Sequence, residues 1–444
     1  MKSLVFGIAL ALGLTALDGG AHAATFSTLH TFCQGGAPCT EGAVPTSLAM
    51  DADGNLFGVT FSGGKGRNAG VIYELIPNAD RSAWTYVVLY EFCRLGGCNG
   101  GTFPVGKLVV DTAGNLFGVA TDGGLGHGVV FELMHNASST QWTYNLLHRF
   151  CYQPNCADGK QPMAGLTYAG AETGALYDGI SPLYGTTQNG GANDAGVVYE
   201  MRFQGAAFHE RVLYSFGSQP NDGASPDAPL IMDASGNLFG VTQSGGAHED
   251  IHSGGGTAFK LTPGAHGSWT ETVLYSFNAL PDHADGYAPI GGMVMDESGA
   301  LYGTTIFGGG TGRQGTLFKL AFDGSAWQET VLHAFCSETS CADGTLPQDT
   351  LTLDGSGNIL GVARMGGAGF RNRWTQSGAG VLFSWDGAFH DQHDFCTVHR
   401  CTDGADPSGT PLVDGAGTIF GVAAGGGDPN SIRGGAGTLY QIVP

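Results

Sequence analysis

The sequence predicts an all-β fold, a seven-bladed β-propeller with four-stranded antiparallel blades. A pattern of turn and strand residues with a period of about 60 residues returns seven times between Asp51 and the C-terminus. Each unit contains short apolar runs separated by Gly, Asn and Asp, which is typical of strands joined by tight turns. The last unit lacks its fourth run, and the N-terminal segment 25–33 supplies a matching one. This 3+1 arrangement would close the ring and remove exposed sheet edges.

The first 23 residues have the features of an export signal. Lys2 precedes an apolar run from Leu4 to Leu17, and the segment ends in Ala21-His22-Ala23, which fits an A-x-A cleavage site. The apolar run is too short for a membrane-spanning helix. We therefore expect residues 1–23 to be a signal peptide and residues 24–444 to form a single propeller domain. The mature protein should be secreted or periplasmic, without membrane insertion.

The first complete repeat unit defines a blade. Its four apolar runs are 45–50, 55–61, 71–75 and 84–92, and an Asp-x-x-Gly-Asn turn joins the first two. Gly and Asn accept positive φ in such turns, so the unit predicts a four-stranded antiparallel meander. The turn also resembles the start of a calcium loop. However, other units replace Asp53 with Ala or Ser, and the distant bidentate Glu of such a loop is missing, which favours the turn.

The other six units follow in order along the chain. The apolar residue after the Asp-x-x-Gly turn marks each of them, at Leu116, Leu183, Leu238, Leu301, Ile359 and Ile419. The third unit is irregular because residues 171–182 are inserted before its second run. An open solenoid would need atypical capping repeats, and a calcium-binding β-roll would repeat Gly-Gly about every nine residues. The sequence has neither feature, so we favour a closed ring.

The repeated string resembles a known family. It reads G-N-L-[FY]-G-[VT]-[TA]-x-x-G-G, then G-[TV]-[VLI]-[FY]-[EK]-L, L-Y-x-F and D-G-x-x-P, and it is similar to the Gloeo/Verruco (GloVer) tandem repeat of bacterial exported proteins. The resemblance covers essentially the whole mature chain and implies an exported bacterial repeat protein. Family members often carry a C-terminal surface-anchoring tail, whereas this chain ends on its last repeat strand, so we expect a member without the usual anchor. The family implies no activity that can be transferred residue by residue.

The ten cysteines form five close pairs, each of which we expect to be a disulfide: Cys33–Cys39, Cys93–Cys98, Cys151–Cys156, Cys336–Cys341 and Cys396–Cys401. An even number of cysteines in an exported chain favours disulfides. Zinc is the alternative, but the pairs lack a second partner at ligand spacing and the expected compartment is oxidising. Each bridge would close a small loop and contribute roughly 2 kcal/mol in the chain-entropy model.

Charge and motif content exclude several functions. A formal net charge of −21 argues against a nucleic-acid partner and against binding to an anionic membrane surface. No Ser-His-Asp or Cys-His arrangement is recognisable, because the cysteines are assigned to disulfides. We expect no catalytic residue of these kinds, no cofactor and a monomeric protein.

The loop of the sixth unit is the first candidate for ligand binding. Arg364, Arg371 and Arg373 cluster there with Trp374 in an otherwise acidic chain. Arginine forks with an aromatic ring suit a carboxylate, a sugar acid or a partner protein. The alternative is an ordinary long loop in which each arginine pairs with a neighbouring Asp.

The loop of the fourth unit is the second candidate. It contains His248-Glu249-Asp250-Ile251-His252, which satisfies the H-E-x-x-H pattern of zinc proteases. That chemistry needs a helix, and the glycines on both sides make a helix unfavourable. We therefore expect a solvated polar loop and no metal, with His248, Glu249 and His252 as the candidates if a metal binds.

A tryptophan opens the fourth run of four units, at Trp84, Trp142, Trp269 and Trp327. These rings could form a sugar-stacking surface. Their fixed position in the repeat favours a packing role as wedges between neighbouring blades.

Propeller geometry indicates where function should lie. The disulfide loops and the Gly-Gly loops should share one face and surround the mouth of the channel, where propeller loops commonly bind ligands. We favour a non-enzymatic binding or scaffolding module for an extracellular glycan or protein. The alternative is an extracellular enzyme acting on a polysaccharide or other polymer at the channel mouth, since the fold supports both. An enzyme should gather ionisable residues with perturbed pKa values there, whereas a binding module should show an aromatic and arginine patch.

Overall fold

Seven antiparallel sheets of three or four strands, one for each repeat unit, form the blades of the predicted seven-bladed β-propeller. The computed structural model describes residues 24–34, 38–94, 97–136, 141–248, 254–310, 314–369, 378–427 and 435–444. The predicted signal peptide lies outside these residues. None of the helices in the described part of the chain has the length and hydrophobicity of a membrane span.

Within each blade the chain runs as a meander, from an inner strand beside the channel to an outer strand. The strands of blades one to three are β2 Ala43–Met50, β3 Leu56–Ser62, β4 Val71–Pro77, β5 Trp84–Glu91, β6 Thr102–Val110, β7 Leu116–Asp122, β8 Val129–His135, β9 Trp142–Arg149, β10 Leu183–Thr187, β11 Val197–Gln204 and β12 Ala207–Ser215. Those of blades four and five, with the small pair β13 and β16, are β13 Gly223–Ala224, β14 Ile231–Met232, β15 Leu238–Thr242, β16 Ser244–Gly245, β17 Thr257–Pro263, β18 Trp269–Ser276, β19 Val294–Met295, β20 Leu301–Thr305, β21 Thr316–Phe322 and β22 Trp327–Ala334.

Blades six and seven complete the ring. Their strands are β23 Thr352–Leu353, β24 Ile359–Ala363, β25 Val381–Trp385, β26 Phe389–Asp394, β27 Ala405–Val413, β28 Ile419–Gly425, β29 Thr438–Val443 and, from the N-terminus, β1 Thr25–Thr31. Short 3-10 turns occur at Pro154–Cys156, Ala171–Thr173, Ala265–Gly267, Pro281–His283, Thr339–Cys341 and His399–Cys401. Strand β1 pairs with β29, with Thr25 opposite Val443, so the two ends of the described chain share blade seven.

The burial pattern of each strand reflects its position in the blade, because neighbouring blades pack face to face. The second strand of blade one is buried on both faces over its first five residues, because a neighbouring blade covers each face. The outer strand β5 instead alternates exposed and half-buried residues at its start, as expected for a strand with one face in solvent.

The repeated glycine in the second strand makes room for an aromatic ring in the third. A Cβ atom on Gly58 would lie 2.3 Å from the hydroxyl oxygen of Tyr73, and one on Gly361 would lie 2.5 Å from Cζ of Phe383. The same contact recurs in every blade, so this glycine and the aromatic residue of the [FY]-[EK]-L run form one packing unit. The motif therefore reflects scaffold packing.

The sequence predicts a complete inner strand in every blade, but several of the observed inner strands are shorter. In blades four to six they contain only two residues each. In blade three the inner strand is reduced to a single bridge between Thr167 and Tyr184. Pro229 in blade four and the pair Gly291-Gly292 in blade five disfavour a regular ladder at these positions.

A backbone hydrogen bond connects each blade to the next. The residue before the repeat proline has positive φ, as at Val44 (φ 60°), and its N–H donates to a carbonyl of the preceding blade. At the closing step this bond joins Val44 to Ala436 at 2.8 Å. A Cβ on the neighbouring Gly437 would lie 2.4 Å from Cδ of Pro45, so the two blades are in direct contact.

The predicted tryptophan wedges are confirmed. Each packs edge-on against an aromatic residue in the second strand of the preceding blade, with ring centroids separated by 5.8 to 6.5 Å. The pairs are Trp84–Phe420, Trp142–Phe57, Trp269–Tyr184 and Trp327–Phe239. These rings stabilise the blade interfaces, which is where the buried hydrophobic clusters lie.

Candidate functional site

The five predicted disulfides are present, and their loops share one face with the Gly-Gly loops. The N–H of Gly64 donates to the carbonyl of Cys39 at 2.9 Å, and Gly124 donates to Cys98 in the same way. Equivalent bonds occur in the other blades. The prediction that the disulfide loops and the Gly-Gly loops lie on the same face is therefore confirmed.

The buried aspartates of the D-G-x-x-P motif stabilise these loops. Asp158 accepts hydrogen bonds from the backbone N–H groups of Tyr152 and Gln153, and its carboxylate lies 3.3 Å from His148. Asp343 plays the same part with Ser337 and Glu338. Asp158 and Asp343 thus hold the loops in place, and a ligand site must be sought elsewhere.

One grouping of three potential metal ligands exists in the described part of the chain, formed by His127, Cys151 and Cys156. The two sulfur atoms are joined in a disulfide, so neither is available as a thiolate ligand. The structure therefore favours disulfides over zinc for this cysteine pair.

A cavity of about 590 Å³ occupies the centre of the ring. Its lining comes from all seven blades and includes Thr46, Lys107, Leu166, Asp227, Met293, Asp349 and Ser408. Most of these residues lie one to three positions after the repeat proline, where the inner strand leaves the face that carries the disulfides. The cavity is thus the upper part of the propeller channel, and it is concave and mixed in polarity as ligand sites are.

Two repeat positions contribute residues to the edge of this cavity. They are the residue just after the second strand's Val-Thr, Val-Ala or Thr-Thr pair and the residue before the proline of the next blade. Between blades one and two they are Phe61 and Phe103, whose rings stack with centroids 4.9 Å apart. Phe61 is 37% exposed and lines the cavity. An aromatic platform therefore borders the channel mouth.

Between blades six and seven the same two positions are Arg364 and Asp406, which form an ion pair through both carboxylate oxygens. Asp349 lies close to this pair. Burial raises the pKa of Asp349 to about 6, although the Gly409 N–H and the Arg364 charge act in the opposite direction. One oxygen of Asp349 is buried and has no hydrogen-bond partner within the described residues.

Asp227 is a second carboxyl group of the cavity with a raised pKa. One of its oxygens accepts a hydrogen bond from the side-chain amide of Gln188 at 3.0 Å, and the other is buried without a partner among the described residues. Burial raises the pKa of Asp227 to about 6, while the Gln188 hydrogen bond lowers it. Both Asp227 and Asp349 can therefore change protonation state close to neutral pH.

Lys107 is the cavity's lysine. It lies on β6, lines the cavity and is exposed to solvent there. Protein atoms around the channel partly desolvate the ammonium and lower the pKa of Lys107. Asp227, Asp349 and Lys107 thus bring ionisable groups with shifted pKa values to one cavity.

The residues predicted for binding are only partly accounted for. Arg364 lies at the channel mouth, paired with Asp406, whereas Arg371, Arg373 and Trp374 fall outside the described residues. Of the metal candidates, His248 is an exposed loop residue, and Glu249 and His252 again fall outside the described residues. The described structure brings none of the other candidates together with Arg364.

Sequence reasoning missed the other cavity residues, Phe61, Phe103, Lys107, Asp227 and Asp349. Each occupies a repeat position at which the seven units differ. Units two and five, for example, have Val105 and Ile290 where unit four has Asp227. An alignment of the seven units would have shown these departures, but only the structure shows that they meet at one cavity.

Residues 174–375 match the model of the Gloeobacter/Verrucomicrobia repeat. The match confirms the family resemblance over that part of the chain. No curated protein matches the sequence.

Solved structures with a similar fold are distant in sequence. Penicillium chrysogenum alpha-L-arabinanase complexed with arabinobiose is 14% identical with a TM-score of 0.43, covering 77% of this chain and 94% of that one. Trypanosoma rangeli sialidase in complex with sialic acid is 10% identical with a TM-score of 0.41, covering 94% and 58%. A Thermus thermophilus protein, provisionally described as an oxidoreductase (glucose dehydrogenase), is 12% identical with a TM-score of 0.39, covering 95% and 100%. Likenesses at this level carry no information on activity.

Proposed function

We propose that this Gloeobacter/Verrucomicrobia-repeat propeller is a binding module that takes a sugar unit of an extracellular glycan into the mouth of its channel. The observation that carries the proposal is the central cavity of about 590 Å³, with the stacked Phe61 and Phe103 rings on its rim and polar side chains around its wall. Ligand sites of small molecules combine a mostly apolar surface with a few polar groups that fix orientation. A sugar ring has both an apolar C–H face and a rim of hydroxyl groups.

The polar groups of the cavity suit hydroxyl recognition. Thr46, Gln348 and Ser408 line it and offer neutral donors and acceptors. The Arg364–Asp406 pair holds the guanidinium in a fixed position at the rim. A ligand that combines an apolar face with several hydroxyls would contact both kinds of surface at once.

A glycan fits this site better than a protein partner does. A stable protein interface buries roughly 800 Å² on each partner, over a largely convex or flat surface. The cavity is instead a concave opening bounded by the inner edges of the seven blades, which suits a chain end or a side branch. The five disulfides fit an oxidising compartment, which supports the choice of an extracellular ligand.

The second candidate function is an enzyme that cleaves the bound glycan. The observation that favours it is the pair Asp227 and Asp349, whose pKa values are both raised to about 6 by burial. Glycoside hydrolysis commonly uses two carboxyl groups, one of which must be protonated near neutral pH to act as an acid. The binding proposal needs neither group to exchange a proton with the ligand.

Calorimetric titration of the mature protein with a panel of oligosaccharides tests the binding function. We expect Phe61→Ala to weaken binding of the best ligand by about tenfold, because it removes one half of the aromatic platform. Tyr152→Ala is the matched control, since this tyrosine is 78% exposed on the same face but does not line the cavity. The proposal would be contradicted if Phe61→Ala bound the ligand as tightly as the wild type, or if no oligosaccharide in the panel bound.

Product analysis distinguishes the two functions. The same oligosaccharides are incubated with wild-type protein, and their lengths are followed by mass spectrometry. Shortened products that disappear in Asp227→Asn or Asp349→Asn would establish the enzyme. Intact oligosaccharides together with measurable affinity would establish the binding module.

A further inference from the structure

Building on the proposed function, we propose that the sugar bound in the channel is acidic and that Lys107 recognises its carboxylate. The inference specifies the ligand class of the same cavity. It depends on the surroundings of this one lysine, which differ from those of the other lysines in the described structure.

Every other lysine in the described part of the chain has a partner of its own. Two form ion pairs and two lie over aromatic rings: Lys65 with Glu91 at 3.4 Å, Lys160 with Asp194 at 2.8 Å, Lys260 over Phe239 at 5.6 Å and Lys319 over Tyr302 at 5.3 Å. Lys107 has no ion pair, hydrogen bond or ring contact within the described residues. It is also the lysine that lines the cavity.

The backbone beside Lys107 is held in place. The hydroxyl of Ser47 donates to the carbonyl of Gly106 at 2.6 Å, which fixes β6 against blade one. On the other side, a Cβ on Gly165 would lie 2.7 Å from the carbonyl oxygen of Lys107, so blade three is in direct contact. The lysine therefore extends from a rigid wall, and its exposed side chain lines the cavity.

An ammonium in this position favours an anion. It has three donors and no acceptor, and a partly desolvated charge without a counter-ion is unfavourable. The other cation that lines the cavity, Arg364, is already paired with both carboxylate oxygens of Asp406. A ligand anion would supply the counter-ion that the protein does not give to Lys107.

The acidic groups of the cavity are pairing partners or have raised pKa values. Burial raises the pKa of Asp227 and Asp349 to about 6, so both carry less negative charge at mildly acidic pH. Asp406 is paired with Arg364, and Glu172, which also lines the cavity, accepts a hydrogen bond from the backbone N–H of Met232. Lys107 is thus the cavity's cation that has no carboxylate partner among the described residues, whereas Arg364 is paired with Asp406.

The single cation points to a carboxylate. A phosphate group carries nearly two charges and is usually bound by several donors or by arginine forks, which the cavity does not offer next to Lys107. The chain's net charge of −21 also disfavours a densely charged polyanion. The ligand class that fits best is a glycan with a uronic acid at its end or on a short branch.

A matched pair of ligands tests the proposal by calorimetry at low salt. We use a short galacturonate oligomer and the same oligomer with its carboxylates methyl-esterified. The free acid should bind about tenfold more tightly to the wild-type protein. Lys107→Met should lower the affinity for the acid to that for the ester, so that the discrimination between the two ligands is lost. Lys107→Arg should retain most of the discrimination.

Lys160→Met is the control variant, because Lys160 is a paired lysine outside the cavity and should not affect discrimination. Equal binding of acid and ester to the wild type would overturn the carboxylate inference while leaving the proposed function intact. Tighter binding of a sulfated oligomer of equal length would also overturn it. Failure of both galacturonate ligands, when neutral sugars bind, rejects the acidic class, and failure of every sugar rejects the proposed function as well.

Discussion

At the scale of single residues, one position in the outer strand differs between blades in the hydrogen bond that its side chain makes beneath the disulfide face. It lies six residues before the buried phenylalanine that follows each outer strand. In blades one and two it is tyrosine: Tyr86 donates its hydroxyl hydrogen to the carbonyl of Glu41 at 2.5 Å, and Tyr144 donates to that of Gly100. In blades three to five the same position holds Glu210, Glu271 and Glu329. One oxygen of each glutamate is buried without a partner among the described residues.

A protonated glutamate would take over the donor role of the tyrosine hydroxyl. Burial raises the pKa of Glu210 and Glu329 to about 8 and that of Glu271 to about 7, with the nearby buried aspartates adding to the effect. Since the folded-state pKa values exceed the ordinary glutamate value of 4.5, the folded state binds more protons than the unfolded state between these limits. Lower pH within that window should therefore stabilise the fold.

We expect the melting temperature of the wild-type protein to rise as pH falls from about 9 to about 5, with most of the gain between about pH 8 and about pH 6. Glu329→Gln should flatten part of this rise and raise the melting temperature at about pH 8, because the amide is a donor at every pH. Differential scanning calorimetry across the pH series measures both effects. Exposed Glu297→Gln serves as the control, and a pH profile of Glu329→Gln identical to the wild type would exclude the mechanism.

At the scale of single elements, the glycine in the second strand and the aromatic residue in the third form a matched pair. In blade six these are Gly361 and Phe383, with a Cβ on the glycine 2.5 Å from the ring. A methyl group there would force the ring or the strand to move, because the interior is close-packed.

Gly361→Ala should destabilise the protein by roughly 2 to 3 kcal/mol through overpacking. Phe383→Leu should lose part of its ring packing, but the double variant should be more stable than the sum of the two single effects predicts, because the smaller side chain leaves room for the methyl group. Equilibrium unfolding in urea measures the three variants. Strictly additive free energies would show that the two positions do not share one space.

The sequence predicted the blades well because the repeat encodes backbone and packing requirements. The turn aspartates, the strand glycines and the tryptophan wedges occupy fixed positions in every blade that has them, and each has a local physical cause. The shortening of the inner strands in blades three to six was less predictable. Pro229 and Gly291 lie in these runs, but a single Pro or Gly in an apolar run does not by itself show how much of the strand is lost. The cavity could not be predicted, because Phe61 and Lys107 are far apart in sequence and neither belongs to the repeated pattern.

At the scale of the whole molecule, strand β1 joins the beginning of the described chain to blade seven. It pairs with β29 over Thr25–Thr31, and Phe26 stacks on His393 of blade six with ring centroids 4.0 Å apart. The strand thus contributes to two blades, so its loss should affect the ring as a unit.

A chain that lacks residues 24–31, and so keeps the Cys33–Cys39 disulfide, should unfold at a temperature lower by about 5 °C or more, because blade seven loses its outer strand and exposes an edge. Adding a synthetic peptide of the same residues should recover part of the loss in a concentration-dependent way. A scrambled peptide is the control. A deletion variant as stable as the intact chain would show that the N-terminal strand does not hold the ring closed.

The backbone bond between blades has a further consequence for how such a protein could acquire new ligands. The residue before each repeat proline uses its N–H to hold the preceding blade, and this bond does not depend on the side chain. The seven side chains at this position differ completely: Val44, Phe103, Gln161, Ser225, Ala288, Leu346 and Asp406. Assembly and recognition are therefore assigned to different atoms of the same residue. Val44 lines the cavity, Phe103 stacks on Phe61 and Asp406 pairs with Arg364. Substitutions at these three positions can therefore change what the channel mouth offers a ligand while the blades stay joined.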